Sequence, residues 1–333
     1  MDPSSTYHQE TTSTDSIMTA YSPNFIKHLV ANGIYPAGYK PPDGQQLPKP
    51  INLAMLIKIL SQERPSSPPV SEGKYAEFMA ATTECDLDEN VTELTRKITR
   101  LIEGTDGADS VCTRGFVFTN FADLTDGTIG KAKPGSVAGA RAEQLDSEIR
   151  AFLNKYVEPS TCHNLIVPNF FFDAKGPSTS PTSFLGRACY GGALGARGIH
   201  ALQSLGQGEP AFDGNAYTIS ATFGRRVLTL YAHHPIKSAG DGRTEYVMTE
   251  ICSYDLLFGL ESYERGVAAY QNARDWAKQM RDGLIIAANQ RKANIPNLLT
   301  SASSVAKEED ATSDLGINKA QWEAIQARLP WRL

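Results

Sequence analysis

The segment PNFFFDAKG, Pro168 to Gly176, sets an acid and a lysine two residues apart at the end of three consecutive phenylalanines. Residues i and i+2 of a strand project from the same face. Asn169, Phe171, Asp173 and Lys175 therefore share one face, and Phe170, Phe172 and Ala174 the other, which is expected to be core. Asp173 and Lys175 then emerge together where the strand leaves the interior. A carboxylate there is a hard oxygen ligand of the kind Mg²⁺ prefers, and an ammonium beside it can orient a water or stabilise charge on a phosphate. The plain alternative is a surface ion pair at a strand end, worth ~0–1 kcal/mol. Glu72 and Lys74 repeat the spacing, but in a Pro/Ser-rich break with no strand before them.

Other residue types invite weighing. His233 and His234 precede Pro235 at a strand end; a metal pair needs at least a third ligand, which AHHP does not offer, so exposed strand-end histidines are expected. His200 lies near Gln203 on a glycine-rich helix, where it either faces the Asp173–Lys175 edge or is a satisfied, partly buried histidine. Cys189 sits among small apolar residues and has no identifiable base, so it reads as packing. GGALGARG lacks the GK[ST] of a phosphate-binding loop and reads as tight helix–sheet packing. Arg274, Lys278, Arg281, Arg291 and Lys292 give a long helix a basic side, either a solvated face or a phosphate-binding one to which Arg225 and Arg226 would add.

The elements that must position these residues follow from periodicity and punctuation. Residues 1–20 are too poor in large apolar groups to order and read as a disordered arm. Residues 21–104 read as a helical extension: Phe25, Leu29 and Val30 at helical spacing before Gly33, then INLAMLIKILSQE, then helical pattern from Lys74 to Glu103 with a break near Asp86–Glu89. The core is expected over 105–295. GFVFTNFADLTDGTIG reads as a strand, a DG turn and a second strand. EQLDSEIRAFLNKYV reads as a short helix and NLIVPNFFFDAK as a strand. A helix with four interior glycines follows, then the strands NAYTISATF, RVLTLYAHHP and TEYVMTEICSYDL, and a long helix. Residues 296–314 are a linker and 315–333 an amphipathic helix whose Trp322 and Trp331 dock on the domain or meet a protein partner. The order predicts a mixed α+β, or α/β, domain around a central sheet.

The 333 residues carry a net charge of −5, which argues against a uniformly basic coat for nucleic acid but leaves room for a local groove. Five cysteines without CxxC spacing fit a reducing compartment rather than a disulfide framework. The N-terminus lacks the pattern of a signal peptide and no apolar run approaches a membrane span, so an intracellular protein is expected, nuclear or cytoplasmic.

NFFFDAKGP, ACYGGALGARGIHALQS, NAYTISATF, LYAHHP and ARDWAKQMRDGLIIAAN, in this order, together with HLVANGIYPAGY and LSQERPSSPPVSEG, resemble a fungal family of uncharacterised proteins assigned to the PD-(D/E)XK nuclease-like fold. The resemblance spans about residues 21–295. It implies a restriction-endonuclease-like mixed sheet flanked by helices and a Mg²⁺-dependent nuclease acting on nucleic-acid phosphodiesters. Asp173 matches the second acid, which would bind metal, and Lys175 the lysine, which would position the attacking water. The first acid, expected on the preceding strand, corresponds to Gly135 in KPGSVAGARAEQLD, with Asp123, Asp126 or Glu103 as candidate replacements. Relatives also tend to show Arg-Gln before ACY and Asp after it, where this chain has Gly186–Arg187 and Gly191. Three readings remain from sequence: a Mg²⁺-dependent nuclease, a catalytically decayed nuclease fold that binds nucleic acid or a protein, or a purely protein-interaction scaffold, for which the acidic net charge and the C-terminal helix speak.

Overall fold

Among the described residues seven strands form one mixed sheet between two helical layers. The computed structural model describes residues 17–64, 72–87, 91–104, 111–174, 180–207, 210–238, 240 and 242–293. Lys175, Trp322, Trp331, the expected linker and the C-terminal helix lie outside the described residues. The elements run α1 (Phe25–Ala31), β1 (Ile34–Tyr35), α2 (Leu53–Leu60), α3 (Glu72–Leu87), α4 (Val91–Glu103), β2 (Val111–Arg114), β3 (Ser136–Ala140), α5 (Ser147–Phe152), α6 (Asn154–Val157), β4 (Ile166–Ala174), α7 (Pro181–Ser204), β5 (Thr218–Gly224), β6 (Val227–Lys237), β7 (Thr244–Asp255) and α8 (Leu260–Ala293). The sheet order is β1-β7-β6-β5-β4-β3-β2. The β4–β5 and β1–β7 pairs are parallel and the others antiparallel. This is the mixed α/β architecture the element order predicts.

β4 is a central strand, and that changes the expected division of its faces. Every residue from Ile166 to Ala174 is buried. Phe170 and Phe172 pack with Tyr263, Tyr270 and Trp276 of α8, whereas Phe171 packs with Ala188, Cys189 and Ala193 of α7. Both faces are therefore core, not one. Alternation also fails before Phe170: Ala138 lies opposite Phe170 but Ala140 opposite Ile166, and Val167 has φ of 47°. This bulge turns Asn169 away from Phe171's face. Its amide donates to the carbonyls of Ala277 (2.7 Å) and Tyr217 (2.9 Å), and its oxygen accepts from Arg281 (3.0 Å).

Helix α7 crosses from β4 to β5. Ser180 caps it, accepting from the Ser183 N–H, and Pro181 begins it. Its glycines let it lie on the sheet. A Cβ at Gly195 would stand 2.6 Å from the Phe171 ring and 2.9 Å from the Pro168 carbonyl, and one at Gly192 would collide with the His233 ring. Tight helix–sheet packing, expected from GGALGARG, is what the residues do.

The segment Gly115–Gly130 is not the expected hairpin. Its backbone donors go to different neighbours: Phe118 N–H to the Ala132 carbonyl, Asn120 to Pro159 and Ala122 to Lys155. No ladder can form from such scattered pairing, and the segment is instead pinned by Phe116, Phe118 and Phe121 in the α7-side core. The described residues of 21–104 share in the same structure: Ile34–Tyr35 adds an edge strand beside β7, and Leu56, Leu60, Phe78, Ile98 and Ile102 join the α8-side core. Met18, in the stretch read as disordered, pairs with Ile129. Among the described residues no helix is long and apolar enough to cross a membrane.

Candidate functional site

Asp173 projects from the penultimate position of β4 toward α7. Its side chain is only 6% exposed. Its Oδ1 accepts from Arg187 Nη2 at 2.7 Å and from the Gly135 N–H at 2.9 Å. Arg187 lies in the second turn of α7, and the same Nη2 also donates to the Lys133 carbonyl at 2.8 Å. One guanidinium thus ties α7 to β4 and to the segment entering β3. Burial works against the Arg187 charge, but the carboxylate beside it prevails and holds its pKa above the ordinary value.

The position expected to carry the first acid is brought to Asp173, but it contributes a backbone N–H. Gly135 immediately precedes β3, and Ser136 pairs with Phe172. A Cβ there would lie 2.9 Å from the Phe172 carbonyl and 3.0 Å from Asp173 Oδ1. A side chain could not enter without moving β3 from β4, and a carboxylate would face a carboxylate.

None of the candidate replacement acids is brought to this corner. Asp123 pairs with Lys131 at 2.7 Å. Asp126 pairs with His28 at 3.1 Å, and hydrogen bonds from Thr128 hold its pKa below the usual range. Glu103 is fully buried, paired with Arg114 and accepting from the Tyr270 hydroxyl at 3.5 Å. Tyr270 packs on Phe170 and Phe172, so Glu103 belongs to the α8 side of the sheet, across from Asp173. Among the described residues no group of three or more His, Cys, Asp or Glu side chains is arranged to hold a metal. The described residues do not fit a Mg²⁺ site: at this corner they offer one carboxylate, paired with Arg187, with a glycine at its side.

The histidines correct the sequence reading. His233 and His234 are 2% and 1% exposed, not surface residues. Burial pushes His233 down to about 3, and His234 and His200 each to about 4. His233 Nε2 stands 2.7 Å from Ser220 Oγ, a spacing suited to a nucleophile and its base. So buried and so weak a base cannot serve that role. His200 packs on Phe212, thirteen residues past Arg187 along α7, or roughly 20 Å at 1.5 Å per residue, and so does not face the Asp173 edge. Burial also raises the Cys189 thiol, consistent with packing.

The basic side expected of α8 is consumed by structure. Arg281 is bonded to Asn169, Arg274 donates to the Glu103 carbonyl, and Arg291 to the Leu202 carbonyl. Lys278 pairs with Asp282, and Lys292 with Asp146 and Glu148. By contrast Arg225 and Arg226 are exposed, in the turn that follows Phe223, the partner of Ala174. They stand at the Asp173 end of the sheet. Arg187, by contrast, was legible only as a departure from relatives. The available signal was a basic residue early in the crossover helix that follows a strand-end acid.

Fold and site together define a mixed α/β domain with a charge-paired carboxylate at the end of a central strand. No protein-family model, curated protein or solved structure matches the chain.

Proposed function

We propose that the chain is a PD-(D/E)XK-like domain that binds nucleic acid without hydrolysing it. The observation that carries this reading is the pairing of Asp173 with Arg187 and the Gly135 N–H. At the corner where the resemblance implies two acids and a metal, the described residues hold one acid and a guanidinium. A cation binding there would have to share the carboxylate with the Arg187 guanidinium. The exposed Arg225 and Arg226 at the same end of the sheet supply charge suited to phosphates.

The test is to incubate the full chain with plasmid and with single-stranded DNA and RNA, in Mg²⁺, Mn²⁺ or chelator. The expected result is retardation that weakens with salt, equal with and without metal, and full-length nucleic acid recovered. Cleavage lost in Asp173→Ala would restore the hydrolytic reading. Absence of any binding would remove nucleic acid from the account.

A further inference from the structure

We propose that the β5–β6 turn and the turn leaving β7 form one platform for single-stranded nucleic acid, with Arg225 and Arg226 on phosphates and Phe258 stacked on a base. The proposal rests on the nucleic-acid reading above and specifies its surface.

Gly224 pairs with Val227, so Arg225 and Arg226 alone make the hairpin loop. Their φ values are 50° and 79°. Two-residue loops with positive φ at both positions favour Asn-Gly, because a bulky L-residue is strained there. Two arginines are a poor choice for a turn that only joins strands. Neither is drawn inward to offset the strain: both are exposed, Arg226 reaches Asp255 at 3.4 Å, and Arg225 has no ion pair with a described residue. Strain kept at an exposed pair of charges points to function.

The neighbouring turn is built onto this one. Val227 pairs with Asp255, and the Leu256 N–H donates to the Arg226 carbonyl at 2.9 Å. Asp255 serves both turns. Its Oδ1 accepts from the Leu257 N–H at 2.9 Å while its Oδ2 faces Arg226. The loop it shapes presents Phe258, 84% exposed, the most exposed large apolar residue of the described chain. A bare aromatic ring in a turn bonded to the two-arginine loop suits a strand with unpaired bases. Base–aromatic stacking accepts any sequence, and arginines follow the backbone. A duplex offers phosphates but no free base face, so charge without the ring would suffice for it.

Fluorescence anisotropy of the full chain with a labelled oligothymidylate, and with a duplex of equal length, tests the platform. In the Arg225→Asn/Arg226→Gly double variant the thermal midpoint should match or exceed wild type, because the turn is relaxed. Its affinity should fall more than about tenfold, and its dependence on log salt should flatten by roughly 1.4, about 0.7 for each of two lost contacts. Phe258→Ser should weaken binding about 5- to 150-fold. If wild type binds and the variants bind equally well, the platform is wrong while the binding reading stands. The platform also fails if duplex binds as tightly as single strand, or if the double variant melts earlier, which would make the arginines servants of the fold. Wild type that binds neither probe overturns both readings.

Discussion

Lowering the pH from 7 to 5 is expected to cost the fold about 6 kcal/mol, a loss comparable with the whole stability of an ordinary domain. The cause is three imidazoles, His200, His233 and His234, buried without charge. In the unfolded chain each takes up its proton near 6.5. In the fold, burial holds His200 and His234 at about 4 and His233 at about 3. Between these values the unfolded state binds more protons, so stability is complete above about 6.5 and drains away as the pH falls toward 4. Each imidazole contributes roughly 2 kcal/mol of the loss at pH 5. Urea unfolding at a series of pH values measures it. His233→Gln keeps a polar partner for Ser220 but cannot titrate, so it should remove about a third of the pH dependence whatever it does to stability at pH 7. A midpoint flat from pH 7 to 5 would contradict the burial of these rings.

Arg187→Ala is expected to destabilise the chain by about 3–5 kcal/mol, the usual cost of leaving one charge of a buried pair without its partner. The Asp173 carboxylate, 6% exposed, would keep only the Gly135 N–H. Asp173→Ala should cost less, because Arg187 retains the Lys133 carbonyl and is the more exposed of the two at 16%. The Asp173→Ala/Arg187→Ala double variant should recover part of the Arg187→Ala loss, since the stranded charge is gone. Equilibrium unfolding of the three variants supplies the cycle. Strict additivity would mean that the pair does not act as a unit.

The sequence foretold β4 as a strand with Asp173 near its end, but not the partners of that carboxylate. Helical spacing placed α1, α2, α7 and α8, the break between α3 and α4 fell where expected, and β4 to β7 followed from their alternation and turns. Gly135 and Asp173 lie side by side, joined by the Gly135 N–H. What alternation could not reveal was tertiary. It cannot show that a strand is covered on both faces, so Phe171 passed for a surface-facing residue. It cannot foresee the bulge at Val167 that sends Asn169 to Arg281. Charge spacing on α8 looked like a basic face because the acceptors of Arg274 and Arg291 are backbone carbonyls on distant elements. The AHHP histidines looked superficial because Pro235 suggested a strand end, yet β6 runs on to Lys237 beneath α7 and beside β7. Arg187 falls in the same class: its role depends on the angle at which α7 returns over β4.

The central claim is that Asp173 is satisfied by Arg187 and the Gly135 N–H rather than by a metal ion. Calorimetric titration of the wild-type chain and of Asp173→Ala with Mn²⁺ tests it most directly. The account predicts indistinguishable titrations, with no site that depends on Asp173. A Mn²⁺ site present in wild type, absent in Asp173→Ala and accompanied by cleavage of added nucleic acid would contradict it.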